Sequence, residues 1–156
     1  MAHGFLSKLA AVLLALAPLA LAAPAAGQGC AYGFGYGNWD RPLGTQQGWV
    51  SGALVDNATG QITFSFDARL VEGFTPCLSC QVGRLSGFLD DGVGTGFDYV
   101  VVGEWQGLWL SGKGTFQAIV YKMVGGTLVP VGRMHGDYSD PSSSTVGNFV
   151  CEWGVC

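Results

Sequence analysis

The sequence predicts an all-β protein, an antiparallel meander of about four repeated hairpins and about eight strands. Three observations support this: one long segment alternates between apolar and polar residues, a short motif recurs, and 26 of the 156 residues are glycine. Eight strands with one apolar face each can remove both open sheet edges by forming a closed or nearly closed up-and-down barrel. The alternatives are an open, curled meander and a two-sheet sandwich.

Residues 1–25 have the features of a removable secretory signal peptide. Lys8 is followed by an apolar run, and Ala23-Pro24-Ala25 supplies the small residues of a cleavage site. Residues 26–156 are then a single glycine-rich all-β domain, a length that supports one modest core. We expect the mature chain to be secreted or periplasmic, with no transmembrane span.

The clearest strand extends from Gln61 to Leu70. Apolar and polar residues alternate strictly through this segment, which predicts one buried and one solvated face. The apolar face consists of Ile62, Phe64, Phe66, Ala68 and Leu70.

A hairpin motif occurs twice in the second half of the chain. Residues 82–87 (VGRLSG) return at 131–136 as VGRMHG, and each copy leads to a strand containing Glu-Trp. Antiparallel pairing of each copy sets an arginine opposite a glutamate and a glycine opposite a tryptophan. The expected pairs are Arg84 with Glu104, Gly83 with Trp105, Arg133 with Glu152, and Gly132 with Trp153.

Turn residues mark further hairpins. If Asp56 to Gly60 is the turn of the first hairpin, Gly52 faces Phe64 across it. Gly125-Gly126 predicts a tight turn, and Pro130, which cannot donate a hydrogen bond to a ladder, indicates a strand start or an edge.

The five cysteines all follow the signal peptide, in a compartment that favours disulfides. In a closed meander the first and last strands are neighbours, so we expect Cys30 to pair with Cys151 or Cys156. Cys77 then pairs with Cys80, and one thiol remains unpaired. The alternatives are a lipid on Cys30 and a zinc site that includes Cys77 and Cys80.

Charge argues against nucleic acid as a partner. Beyond residue 25 the chain has six Lys and Arg against eleven Asp and Glu, and the six basic residues are scattered. Extracellular glycan, a small ligand or a cell-surface protein remain as partners.

Catalytic residues are scarce in the mature chain. Its one histidine, His135, falls on the polar face of a strand. Glu104 and Glu152 are candidates for the carboxylate pair of a carbohydrate-active hydrolase, although cross-strand ion pairing with arginine explains them better. We therefore expect a non-enzymatic binding or structural module without a cofactor, with the hydrolase as the alternative.

Two groups of residues are candidates for binding. Flat aromatic rings stack on sugars, and the candidates for this role are Trp39, Trp49, Trp109 and Tyr36. The glycine-rich loop from Asp90 to Asp98 has three carboxylates, Asp90, Asp91 and Asp98, which suit calcium.

Overall fold

A computed structural model describes residues 30–41, 46–73, 80–94, 96–108, 113–139 and 146–156. These residues form a closed barrel of eight antiparallel strands in chain order, and the last strand pairs with the first. The predicted meander and its closure are confirmed. The strands are β1 (Ala31–Asp40), β2 (Gln47–Asp56), β3 (Ile62–Glu72), β4 (Cys80–Asp90), β5 (Tyr99–Leu108), β6 (Lys113–Val124), β7 (Thr127–Ser139) and β8 (Val146–Val155).

The signal-peptide prediction for residues 1–25 lies outside the described residues. Within the described ranges, no helix has the length and apolar character needed to cross a membrane.

Alternation along each strand decides which side chains fill the barrel. The most completely buried large side chains of the described residues are apolar and come from the six strands β2 to β7: Phe66, Leu54, Leu89, Met134, Val101 and Val120. Phe149 of β8 packs edge-on against Phe66, at 5.9 Å between ring centroids. Large rings fit because glycines line the same wall. The indole of Trp105 lies over Gly83, and the indole of Trp39 lies over Gly147. A Cβ at either glycine would collide with the ring.

The predicted register of the second hairpin is confirmed. Arg84 lies opposite Glu104, and Gly83 lies opposite Trp105, in the β4–β5 ladder. Both polar side chains point outward and Trp105 points inward, as the alternation requires.

The predicted register of the last hairpin is wrong by two residues. Glu152 lies opposite His135 instead of Arg133, and Trp153 lies opposite Met134 instead of Gly132. A two-residue shift keeps every side chain on its predicted face, so the alternating pattern cannot detect it. The register of β8 must also satisfy β1, on its other side, where Trp153 lies opposite Gly33.

The first hairpin is shifted as well. Gly52 lies opposite Phe66, and Phe64 lies opposite Leu54. Two local features cause this difference: the Asp56 N–H bonds to the Gln61 carbonyl across the turn, and a bulge follows Leu54.

The turn and proline predictions agree with the structure. Gly125 and Gly126 both have positive φ, 57° and 84°, which is the conformation of a two-residue hairpin turn. Pro130 is not a strand start, because β7 begins at Thr127. Residues 127–130 pair with β6 but not with β8, so Pro130 lies at a local edge as the alternative predicted, beside an irregularity in the β6–β7 ladder.

A disulfide joins Cys30, the residue before β1, to Cys156, the residue after β8. This confirms one of the two predicted partners of Cys30. Cys151 is a buried free thiol in the interior. The predicted pairing of Cys77 with Cys80 lies outside the described residues, since Cys80 is described only as part of the β4 backbone.

Candidate functional site

The candidate ligand-binding aromatics do not form one group. Trp39 points into the barrel, where it is only 9% exposed. Tyr36 and Trp49 point outward from β1 and β2 and are about half exposed, at 48% and 56%. Trp49 pairs with Asp40, four residues along β1 from Tyr36, so the two rings lie on the same wall but apart. Trp109 lies outside the described residues.

Tyr36 belongs instead to a row of aromatic residues on the outer face of β1. Tyr32, Phe34 and Tyr36 alternate with inward glycines, and their exposed fractions are 50%, 48% and 48%. The rings of Phe34 and Tyr36 are 6.5 Å apart between centroids and inclined by only 26°. We call these three residues the aromatic row.

The sequence of β1 explains why these rings face outward. Gly33, Gly35 and Gly37 occupy the inward positions, where a Cβ would collide with the neighbouring backbone or with side chains of β2 and β8. These three inward positions of β1 therefore have to be glycine, and the aromatic residues that alternate with them face solvent. The alternation at residues 32–37 indicates this row, of which Tyr36 is the member predicted to bind a ligand.

Polar groups flank the aromatic row. Asn38 continues the outer face of β1 and lies between Ser51 of β2 and Asn148 of β8. Phe34 lies opposite Glu152, and Tyr36 lies opposite the exposed Val150. The wall thus combines flat apolar rings with amide, hydroxyl and carboxylate groups.

A second outer surface crosses β4 to β7. An open groove of about 800 Å³ is lined there by outward polar side chains that include Arg84, Glu104, Gln117 and His135. His135 lines the β7 side of this groove. Its Nε2 lies 3.4 Å from Oε2 of Glu152 on β8, and both side chains are well exposed.

The two glutamates of the hydrolase hypothesis lie in the same row across the wall. Glu104 pairs with Gln117, which pairs with His135, which pairs with Glu152. Three inter-strand steps of about 4.8 Å separate their backbones by about 14 Å, beyond the roughly 5–9.5 Å between the carboxyl groups of glycosidases. This spacing does not favour a shared catalytic role.

The loop after β4 brings its three carboxylates together. Oxygens of Asp90, Asp91 and Asp98 lie within 4.8 Å of one another. Each also accepts a backbone N–H: Asp90 from Gly92 at 2.8 Å, Asp91 from Val93 at 2.7 Å, and Asp98 from Asp91 at 2.7 Å. These bonds account for the loop geometry by themselves, and calcium binding stays a prediction.

Comparisons with known proteins add no assignment. No family model, curated protein or solved structure matches this chain. The function must therefore be inferred from the surfaces themselves.

Proposed function

We propose that this chain is an exported, non-enzymatic binding module that holds a glycan against the outer wall of β1. The observation that carries the proposal is the aromatic row, three neighbouring rings that are each about half exposed. Apolar rings are normally buried away from water, because removing apolar area from water is favourable. A contiguous group of exposed rings therefore marks an interaction surface.

The flanking groups favour a sugar over a purely apolar partner. Pyranose rings present a C–H face that packs on an aromatic ring and an edge of hydroxyls that need hydrogen bonds. Asn38, Asn148 and Ser51 provide donors and acceptors on the same face as the rings. No lysine or arginine lies in these outward positions of β1 or β8, so an anionic partner is not favoured.

The non-enzymatic part of the proposal is supported by the distance between the candidate carboxylates. Glu104 and Glu152 are separated by two intervening strands, and Glu152 instead contacts His135. Export is supported by the Cys30–Cys156 disulfide, since disulfides persist in oxidising compartments.

Affinity electrophoresis in gels containing hydroxyethylcellulose, xylan or galactomannan tests the proposal. We expect at least one polysaccharide to retard the protein, and Tyr36→Ser and Phe34→Ser each to weaken binding up to about tenfold, the equivalent of an aromatic contact of about 1.5 kcal/mol. Phe88→Ser is the matched control, because Phe88 is an exposed aromatic on β4, away from this wall. Unchanged retardation of the β1 variants, or no retardation in any gel, would contradict the proposal.

A further inference from the structure

The charge on the wall that bears the aromatic row has one sign. Strands β1, β2 and β8 contain no lysine, arginine or histidine, and they contain three acids. One acid, Asp56, is engaged in the β2–β3 turn, where its Oδ1 accepts the N–H groups of Ala58 and Thr59 at 2.8 Å and 2.9 Å. The other two, Asp40 and Glu152, are exposed. This wall therefore presents negative charge to solvent.

Each of the two exposed carboxylates lies beside an aromatic ring. Glu152 of β8 is directly opposite Phe34 of β1. Asp40 of β1 is directly opposite Trp49 of β2. Opposed residues share a face of the sheet and have Cβ atoms about 5 Å apart, and both rings are about half exposed. We call Phe34 with Glu152, and Trp49 with Asp40, the two ring–carboxylate pairs.

The two ring–carboxylate pairs lie at opposite ends of one strip along β1. The six residue steps from Phe34 to Asp40 correspond to about 20 Å of strand. Between them lie the Tyr36 ring and the Asn38 amide, and Asn38 has polar neighbours on both adjacent strands. A ligand that meets both pairs is therefore an extended chain rather than a single sugar.

The strands that flank this wall do not reverse its charge. On each of β3 and β7 an exposed arginine is balanced by an exposed aspartate: Arg69 with Asp67, and Arg133 with Asp137. Arg69 lies opposite Trp49, and its guanidinium donates a hydrogen bond to the Gln47 side chain. The negative charge of the wall itself is therefore not cancelled by its neighbours.

Two further basic side chains lie near the carboxylates, and both have acidic partners. Arg41 follows Asp40 in the chain, but its Nη1 lies 3.4 Å from Glu72 Oε2, and both of these side chains are less than one-fifth exposed. His135 Nε2 lies 3.4 Å from Glu152 Oε2. A histidine carries less positive charge than an arginine at neutral pH, so it competes only weakly for Glu152.

We propose that the glycan held by this wall is a chain of hexosamine units that carry free amino groups. This inference rests on the proposed glycan function and names the class of sugar. A protonated amine is attracted both to a carboxylate and to the face of an aromatic ring, and each ring–carboxylate pair offers the two together. The hydroxyl of a neutral sugar at the same position has no charge for either group to attract.

Other classes of glycan fit the wall less well. Sugars with carboxylate or sulfate groups would bring like charge to Asp40 and Glu152, and the wall has no base to receive them. An N-acetylated sugar keeps an N–H donor but lacks the positive charge that both members of a ring–carboxylate pair attract. The free amine is therefore the group that distinguishes the expected ligand.

Three hexasaccharides with the same β-1,4 linkage isolate the amine: the glucosamine hexamer, the N-acetylglucosamine hexamer and cellohexaose. Isothermal titration calorimetry at pH 6.5 and low ionic strength measures their affinities for the purified protein. We expect the glucosamine hexamer to bind about 5- to 30-fold more tightly than cellohexaose, the combined effect of cation–π contacts and exposed ion pairs. The N-acetylglucosamine hexamer should resemble cellohexaose.

The outcomes separate this inference from the glycan function. If either neutral hexamer bound as tightly as the glucosamine hexamer, the amino-sugar inference would be overturned and the glycan function would stand. Binding of none of the three would contradict the glycan function itself, and this inference with it.

Variants that remove one charge locate the interaction. Glu152→Gln and Asp40→Asn preserve side-chain size, and each should weaken binding of the glucosamine hexamer up to about fivefold and narrow its preference over cellohexaose. Glu104→Gln is the matched control, because it removes an exposed carboxylate from β5, the strand farthest from β1 around the barrel. It should leave the preference unchanged. Equal losses in all three variants would indicate general attraction to an acidic protein and overturn the assignment to this wall.

Tyr36→Ser distinguishes ring packing from charge. The Tyr36 ring belongs to neither ring–carboxylate pair, so its loss should weaken all three hexamers by similar factors. Weaker binding in Tyr36→Ser, combined with an unchanged amine preference in both Glu152→Gln and Asp40→Asn, would support the glycan function and overturn the amino-sugar inference.

Discussion

Trp153 of β8 lies opposite Gly33 of β1, at the seam where the last strand closes the barrel on the first. Its indole N–H is shared between the carbonyls of Phe34 in β1 and Val55 in β2, each 3.2 Å away. One side chain thus ties three strands together, and its ring also packs edge-on against Phe64 at 5.5 Å. Closure depends on this contact as well as on the backbone ladder.

Truncation of Trp153 should therefore damage folding. Trp153→Ala removes a buried ring that is 4% exposed, and we expect the free energy of unfolding to fall by about 3–5 kcal/mol. Urea denaturation measures this change. Glu152→Gln is the control, because it alters an exposed neighbour of the same strand and should cost less than about 1 kcal/mol. A Trp153→Ala protein of wild-type stability would contradict the role of the seam.

The register of the last hairpin can be tested by cross-linking. His135 and Glu152 are directly opposed and outward-facing, so the double variant His135→Cys with Glu152→Cys should form a disulfide on oxidation. Peptide mapping by mass spectrometry detects this bond. Arg133→Cys with Glu152→Cys is the matched control, since these positions are offset by two residues and should cross-link poorly. The reverse result would restore the register that the sequence repeat suggested.

The sequence predicted faces and topology better than register. Alternation places Trp105 and Trp153 inward and Arg84 outward whichever partner residue each one meets. A shift of two residues changes partners without changing faces, so only contacts from other strands decide it, such as the pairing of Trp153 with Gly33. The predicted β4–β5 pairing is correct, with Arg84 opposite Glu104 and Gly83 opposite Trp105.

The candidate sites followed the same division. Tyr36 and Trp49 were expected to be available for a ligand, and their outward positions follow from alternation. The buried side chain of Gln81 was not predicted, although Gln81 shares the inward parity of Gly83 and Leu85 and a polar residue at such a position is unusual.

Removal of the Cys30–Cys156 disulfide should destabilise the barrel without altering its fold. The bond closes a loop of sequence separation 126, and we expect the double variant Cys30→Ser with Cys156→Ser to lose about 2–4 kcal/mol of unfolding free energy. Far-ultraviolet circular dichroism should keep its β-sheet signature, because all eight ladders remain. Mapping that found Cys30 bonded to any other cysteine would contradict the structure.

The buried thiol of Cys151 should make stability fall in alkali. Burial is the main cause that raises the pKa of Cys151 from 9.0 to about 12, with a smaller effect from the charge of Glu152. Burial also raises the pKa of Tyr138 from 10.0 to about 12. In both cases the unfolded chain loses its proton first as the pH rises. The stabilisation is therefore complete below about pH 9 and is lost progressively up to about pH 12.

Cys151→Ala isolates the contribution of the thiol. Unfolding free energies of wild type and variant, measured in urea between pH 7 and pH 11, should differ by a constant amount up to about pH 9. Above that pH the wild type should lose stability more steeply, because only its unfolded state gains a thiolate at residue 151. The packing cost of the alanine shifts the whole curve and leaves this difference in slope intact.

Iodoacetamide provides an independent measurement of the burial of Cys151. At pH 8 it should alkylate Cys151 only after urea is added, since the thiolate is the reactive form and the folded thiol is buried. Equal slopes for the two proteins, together with rapid alkylation of folded wild type at Cys151, would contradict the buried position of this thiol.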